Sequence, residues 1–244
     1  MLKAVRIHLR QQMPNYRKPA SFLIKETFPL PPYSSVIGMV HAACGWTEYH
    51  PMKVSIQGCS AGTVSDYATN YVFGISYDPG RHQYKVDAGN GKFDGINAGP
   101  KSYELLTDVE LVLHIIPDDS ALTGEICRKV LFPASYLSLG RYEDLVQIDR
   151  ADEVVLENAE EDESYPAVYD IFVPLESLSG SSSQNLTGTV YRLNKVFAMD
   201  QTDRKKVMRY WKETVLVRHV CKGAALCSEK MLLDRQFSDI VFPA

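Results

Sequence analysis

Apolar and polar residues alternate from Leu2 to Arg10. Val5, Ile7 and Leu9 fall on one side, and Ala4, Arg6, His8 and Arg10 on the other. A period of two predicts a half-buried strand, and here its outward side would be basic. A polar loop follows with Pro14, Tyr16, Arg17 and Lys18. Pro29-Leu-Pro31-Pro32-Tyr33 is then an extended lead-in, because proline disfavours helix in the residue before it. Ser34 or Ser35 caps the helix that comes next. It carries Val36, Ile37, Met39, Val40, Ala43 and Cys44, and Gly45 is its stop. A helix apolar over most of its circumference belongs against a sheet. Gly38, one turn in, leaves room for a neighbouring backbone.

Residues 53–73 are rich in Val, Ile, Thr and Tyr and read as one or two strands. Six of the 15 glycines lie between Gly74 and Gly99, with turn signals at Asp78-Pro79-Gly80 and Asn90-Gly91. Arg81, Lys85 and Lys92 are interspersed there with Tyr77, Tyr84 and Phe93. The segment is either a flexible loop or a projecting basic, aromatic hairpin able to grip a strand of nucleic acid. Val109–Ile116 is a strong strand, Ser120–Leu131 a short helix, and Leu145–Ile148 another strand. The order is βαββαβ, the α+β ferredoxin-like unit also used by RNA-recognition modules. Beyond it, Glu157–Glu163 reads as an exposed acidic loop and Ser177–Ser183 as a serine-rich loop. Strands are expected near 167–174, 189–196 and 210–220. Residues 1–148 therefore form a first domain with the hairpin inserted at about 74–100, and 149–244 a smaller, mainly β subdomain. No repeat of fixed period is present.

Composition bounds the class. The 244 residues are 45% hydrophobic and 23% charged, values of an ordinary globular protein. The N-terminus lacks an apolar run of signal-peptide length, and no stretch is long enough to span a bilayer. Five cysteines, odd in number and irregularly spaced without a CxxC pair, make neither a disulfide framework nor a zinc ribbon. The expected location is the reducing cytoplasm. The net charge of −4 argues at first against a nucleic-acid partner. Its distribution changes that reading. Residues 1–25 hold six bases and no acid, and 143–163 hold ten acids and one base. A second basic stretch runs from Arg192 to Lys222. Local basic fields attract polyanions whatever the global sum.

Few motifs carry chemistry. Gly58-Cys-Ser60-Ala-Gly62 fits the GxSxG elbow, which works only where a strand turns into a helix. Here strand-like residues follow. A metal-independent ribonuclease needs a general base and a cation near a 2′-hydroxyl, and the six histidines are scattered with no lysine neighbour. His8 and His219 are open candidates by proximity in space. Nothing in the sequence calls for a metal or a cofactor.

Several segments together resemble one family. They are the basic first strand, Lys25-Glu-Thr-Phe-Pro-Leu-Pro-Pro-Tyr-Ser-Ser-Val-Ile-Gly38-Met-Val-His-Ala-Ala-Cys-Gly45, Leu137-Ser-Leu-Gly140-Arg141, and Gly188-Thr-Val-Tyr-Arg192-Leu. The chain resembles the fifth CRISPR-associated protein family of type I systems, in the RAMP superfamily, and is most similar to the type I-B branch. That resemblance implies a ferredoxin-like palm, a β-hairpin thumb at 74–100, and a place at one end of the Cascade surveillance complex. It implies as partners the 5′ handle of CRISPR RNA, the backbone subunit, the large PAM-reading subunit and, indirectly, target DNA, with no membrane role. In the type I-C branch the family member is itself the precursor-processing ribonuclease, using a tyrosine late in the first helix and a Lys-His pair. Here Cys44-Gly45 stands at about that place and no Lys-His dipeptide exists, which implies a non-catalytic member. A β-rich interaction subunit unrelated to RNA is the remaining alternative. The expected RNA-binding residues are Arg6, Arg10, Tyr16, Arg17 and Lys18. Tyr33, Ser34, Ser35 and Gly38 form an anion site at the helix start. Gly140 and Arg141 lie in the superfamily's glycine-rich loop, Arg192 is a further candidate, and Arg81, Lys85 and Lys92 lie in the thumb.

Overall fold

The computed structural model describes residues 2–74, 76–160, 163–178, 186–200 and 208–244. Parts of the predicted serine-rich and acidic loops, and Arg204, Lys205 and Lys206 of the second basic stretch, lie outside them.

The fold is mixed α+β and mostly antiparallel. Its elements are β1 (Leu2–Gln11), α1 (Tyr33–Cys44), β2 (Met52–Cys59), β3 (Gly62–Phe73), β4 (Tyr84–Gly89), β5 (Lys92–Thr107) and β6 (Val109–Pro117). After a 3₁₀ turn at Ser120–Leu122 come α2 (Thr123–Leu131), β7 (Gln147–Asn158), β8 (Tyr165–Pro166) and β9 (Asp170–Pro174). The chain ends with β10 (Val190–Asp200), β11 (Met208–Val220), β12 (Ala225–Leu226), β13 (Leu232–Asp234) and β14 (Asp239–Val241). Nine strands form one sheet in the order β10-β11-β9-β2-β6-β1-β7-β13-β14. The strands of the βαββαβ segment lie together in its middle as β2-β6-β1-β7, with α1 joining β1 to β2 and α2 joining β6 to β7.

One face of this sheet packs on the helices. Val5, Ile7 and Leu9 of β1 and Leu111, Leu113 and Ile115 of β6 are fully buried with Val36 and Val40 of α1 and Ile126 and Val130 of α2. Each such side chain contributes about 1.5–3 kcal/mol relative to exposure. Gly45 ends α1 in the left-handed region at φ 74°, its N–H returning to the helix carbonyls, which glycine adopts without a Cβ penalty. The start of α1 differs from the sequence reading. Pro32 occupies the cap position with no side-chain hydrogen bond, and the helix begins at Tyr33, because proline's fixed φ already suits a helix entry.

The opposite face is not the open basic surface that the alternation of β1 predicts. The β13–β14 hairpin continues the sheet beyond β7 and folds back over that face. Phe242 N–H donates to Ser55 Oγ (3.0 Å), and Gln57 Nε2 donates to Ile240 O (3.3 Å). Ala244 exchanges two backbone hydrogen bonds with Val54 of β2. Ala4 is therefore fully buried, and Arg6 keeps only 8% exposure. Residues past 149 are mainly β: most of their strands extend the same sheet at both ends, and β8 and β12 pair as a small two-stranded sheet of their own. The acidic stretch supplies β7, where Ala151 is buried with Ile7 on the helix side and Val154 and Leu156 are buried with Ala4 on the opposite face.

Two ribbons project. β3, β4 and β5 form a separate three-stranded sheet in the order β3-β5-β4. The hairpin expected over 74–100 is its outer part: β3 and β5 pair from Gly62–Thr107 to Phe73–Ile96. The other ribbon is the distal part of β10 and β11, described below.

Candidate nucleic-acid interface

The best-built site lies where four distant segments meet. Residues 16–28 double back on themselves: Phe28 N–H donates to Tyr16 O (2.7 Å), and Lys18 N–H to Glu26 O (2.8 Å). Asn15 anchors this turn, its Nδ2 donating to Lys25 O (2.8 Å) and Glu104 O (2.7 Å). Lys25 sits in the left-handed region at φ 54°, a conformation that non-glycine residues hold only where surroundings enforce it. Opposite stands the 137–146 loop, organised by one buried carboxylate. Asp144 Oδ2 accepts from Asn15 N–H (3.0 Å) and Arg141 N–H (2.8 Å). Its oxygens also clamp the Arg141 guanidinium, at 2.6 Å from Nη2 and 3.0 Å from Nε. This two-pronged arrangement fixes the plane of the arginine.

Between the two lies Tyr103, on β5. Lys25 Nζ donates to its hydroxyl (3.1 Å) and lies 4.3 Å from the ring centroid. Lys101 Nζ lies 4.7 Å and Arg141 Cζ 5.2 Å from the same centroid. Burial alone would raise the Tyr103 phenol. Hydrogen bonds from Lys101 and Lys25 outweigh it, so the phenol sits below its usual value. A cleft of about 360 Å³ opens here, lined by Arg17, Lys25, Ser35, Tyr103, Gly140 and Arg141 among others. Its one lining acid, Glu143, lies 3.4 Å from the Arg141 guanidinium, and the buried Asp144 is spent on the same group. Cations on one aromatic ring repel each other, and an anion in the cleft relieves that repulsion. A groove of about 810 Å³ adjoins it, running past Arg141 and Tyr136 to Arg10. A smaller one over α1 takes in Ser35, Gly38 and Gly140.

Residues 4–215 match the family profile described as CRISPR-associated protein (Cas_Cas5). The chain belongs to this family. No curated protein sequence matches it. Among solved structures, a chain titled "CRISPR RNA-guided surveillance complex" is 19% identical, with a TM-score of 0.53 and 91% of each chain covered. It shows a shared fold. A CRISPR protein from Archaeoglobus fulgidus is 10% identical over 98% of each chain, with a TM-score of 0.45. A chain of a type III-B Cmr-beta complex bound to cognate target RNA and AMPPnP is 14% identical, covering 90% of this chain and 85% of that one, at 0.44.

The structure of this CRISPR-associated protein sorts the predicted residues. Arg17, Ser35, Gly140 and Arg141 meet at the cleft, Gly38 in the adjoining groove, and Arg10 at the far end of the larger one. Ser34 is half-buried beside Ser35 in the first turn of α1. Lys18 faces Glu26 at 3.9 Å. Arg192 is exposed on β10, the end strand of the sheet. Arg81, Lys85 and Lys92 are exposed on the three-stranded projection, with Lys85 Nζ 3.7 Å from the Phe93 ring.

Four residues differ from expectation. Arg6 is under the C-terminal hairpin, with Nε donating to Asp239 Oδ2 (2.6 Å) and its guanidinium over Phe237. Tyr16 is fully buried, its hydroxyl donating to Gln11 Oε1 (2.6 Å), so it cannot stack on a base. Tyr33 is fully buried too, and its hydroxyl has no hydrogen-bond partner. Gly38 is exposed with nothing within 4 Å of a Cβ built on it, so no protein backbone approaches there. The sequence reading missed Lys25, Lys101, Tyr103, Asn15 and Asp144 as site residues. Lys101 and Tyr103 carried a signal, since a spacing of two places both on one strand face. Asp144 was hidden inside the acidic stretch.

His8 and His219 each lie beside a carboxylate. His8 Nε2 lies 2.8 Å from Glu110 and Nδ1 3.5 Å from Asp149, and His219 lies 3.5 Å from Asp170. The GxSxG segment joins β2 to β3, a strand-to-strand turn.

Proposed function

We propose that this chain is a non-catalytic subunit of a type I CRISPR surveillance complex that holds the 5′ handle of the guide RNA. In this reading the cleft around Tyr103 seats handle phosphates, and the groove from Arg141 to Arg10 carries the strand onward. The convergence of Lys25, Lys101 and Arg141 on one tyrosine ring carries the proposal. Single-stranded RNA is held by phosphate contacts together with stacking and splayed bases, and the cleft offers both fixed cations and aromatic faces. The order β2-β6-β1-β7 supports reading the central strands as a ferredoxin-like palm. The β3–β5 projection then serves as the thumb toward the backbone subunit, and the large subunit docks beside it. Its place of work is the cytoplasm. Family membership supports a ribonucleoprotein partner in antiviral defence.

The non-catalytic part rests on the end of α1. Cys44, at about the place of the type I-C branch's tyrosine, is buried there, and burial with the nearby Glu125 pushes its thiol up to about 11.

The test is Lys25→Ala with Lys101→Ala, which leaves the Arg141–Asp144 clamp intact. Affinity for a handle-length single-stranded RNA should fall about tenfold or more at low salt, as expected for losing charge-assisted contacts. The slope of log affinity against log salt should flatten by about 1.4, at about 0.7 per phosphate contact for single strands. Unchanged affinity and slope would remove the cleft from the RNA path.

A further inference from the structure

β10 and β11 continue past the body of the protein as a bare ribbon. Leu193 and Val217 are in the core and Val196 is buried. Among the described residues between Val196 and Val217 none is buried. β9 pairs with β11 only from Val217 onward, so Met208–Leu216 pair with β10 alone. Two-stranded ribbons are marginal by themselves in water, and this one carries Phe197, Met199, Met208, Tyr210 and Trp211, each 42–57% exposed.

The register puts an aromatic platform on one face. Phe197 stands opposite Trp211, and Met199 opposite Arg209. The Arg209 guanidinium lies across the two rings, 3.7 Å from the Phe197 centroid and 5.2 Å from that of Trp211. Lys212 and Tyr210 stand on the same strand. Over the ribbon, Arg192–Asp200 with Met208–Leu216, there are four lysines and arginines (Arg192, Lys195, Arg209, Lys212) against Asp200 and Glu213. Glu213 already has Lys195 at 4.0 Å. Aromatic residues, Met and Arg are also enriched where proteins dock, but such faces are depleted of lysine, and here Lys212 adjoins Trp211 and Lys195 stands on the facing strand. A stacked arginine between two exposed rings on a net basic ribbon is instead the composition of a single-strand platform, where aromatic faces take bases and cations take phosphates.

We propose that the β10–β11 ribbon binds single-stranded nucleic acid through Phe197, Arg209 and Trp211, at a site separate from the Tyr103 cleft. The sequence holds two tryptophans, Trp46 and Trp211, so Trp46→Phe in the full-length chain leaves Trp211 as the sole reporter. Titration with a dT 12-mer and a U 12-mer should quench its emission saturably and less at high salt. A preference for one oligomer distinguishes DNA from RNA as the occupant. Arg209→Ala in that background should weaken the quench about tenfold, the loss expected for one stacked base. Arg209→Lys keeps the charge without the planar group and should fall between, a grading that a misfolded ribbon would not produce. Lys25→Ala with Lys101→Ala should leave the quench unchanged, which separates this site from the cleft. Absence of quenching by either oligomer, or loss of it in the Lys25/Lys101 double variant, overturns the proposal. A Trp211 emission that depends on protein concentration instead would assign the ribbon to a second copy of the chain and equally overturn it.

Discussion

Gly140 shows how tightly one residue can be specified by its neighbours. Its φ is +110°, and a Cβ there would lie 2.7 Å from Asp144 Oδ2 and 2.9 Å from Asn15 O. Asp144 is the carboxylate that ties the Asn15 turn to Arg141. A side chain at 140 would break the cleft from within. Gly140→Ala should cost at least about 2 kcal/mol, combining backbone strain with displaced hydrogen bonds. The measurements are the urea midpoint and RNA affinity, both of which should drop. Tyr33 predicts the opposite sign. Burial, with Glu176 adding, pushes its phenol well above the usual value, and its hydroxyl is unpartnered. The folded state therefore favours the neutral phenol. That contribution is fully present below the ordinary tyrosine value of about 10 and is lost as pH rises toward the folded one. Tyr33→Phe removes both the orphan hydroxyl and the titration. It should be about 1 kcal/mol more stable at pH 7 and lose less stability between pH 9 and 11. An unchanged alkaline limb would mean that other groups set it.

At the scale of elements, β1 is the instructive case. Its alternation correctly assigned Val5, Ile7 and Leu9 to the core, because period two is a property of the strand itself. The same pattern left Arg6 facing solvent. What covers it is Asp239, 233 residues later, and no local pattern reports such a partner. His114 Nε2, 3.2 Å from Asp234 and 3.8 Å from Asp239, completes the network under the hairpin. Arg6→Ala should cost about 3–5 kcal/mol in chemical denaturation, as an unpaired buried carboxylate does. Arg10→Ala, whose side chain is 59% exposed beside Asp149, should stay within about 1 kcal/mol. Equal costs would contradict the placement of the hairpin over β1. The helices and the stop at Gly45 were legible for the same local reason as the core face. The length of the β3–β5 projection was not, since Val, Thr and Tyr serve buried and exposed strands alike.

For the whole molecule, the net charge of −4 conceals a basic cleft assembled from Arg17, Lys25, Lys101 and Arg141. Basic residues were visible in the sequence, but their convergence depended on the 16–28 turn, β5 and the 137–146 loop meeting. That geometry also decides how catalysis is to be tested. Metal-independent RNA cleavage needs a base for the 2′-hydroxyl and cations for the developing charge. In the cleft only Tyr103 combines a lowered phenol with adjacent lysines. Its depression comes from hydrogen bonds that tie the oxygen to Lys25 and Lys101, and a group engaged this way positions phosphate better than it removes protons. Incubation of the purified protein with CRISPR repeat RNA in EDTA should therefore leave the RNA intact while the two remain bound. A single cut that disappears in Tyr103→Phe would make Tyr103 the base and the cleft a nuclease site. A cut that persists in that variant would place the chemistry elsewhere, with His8 between Glu110 and Asp149 the next residue to replace.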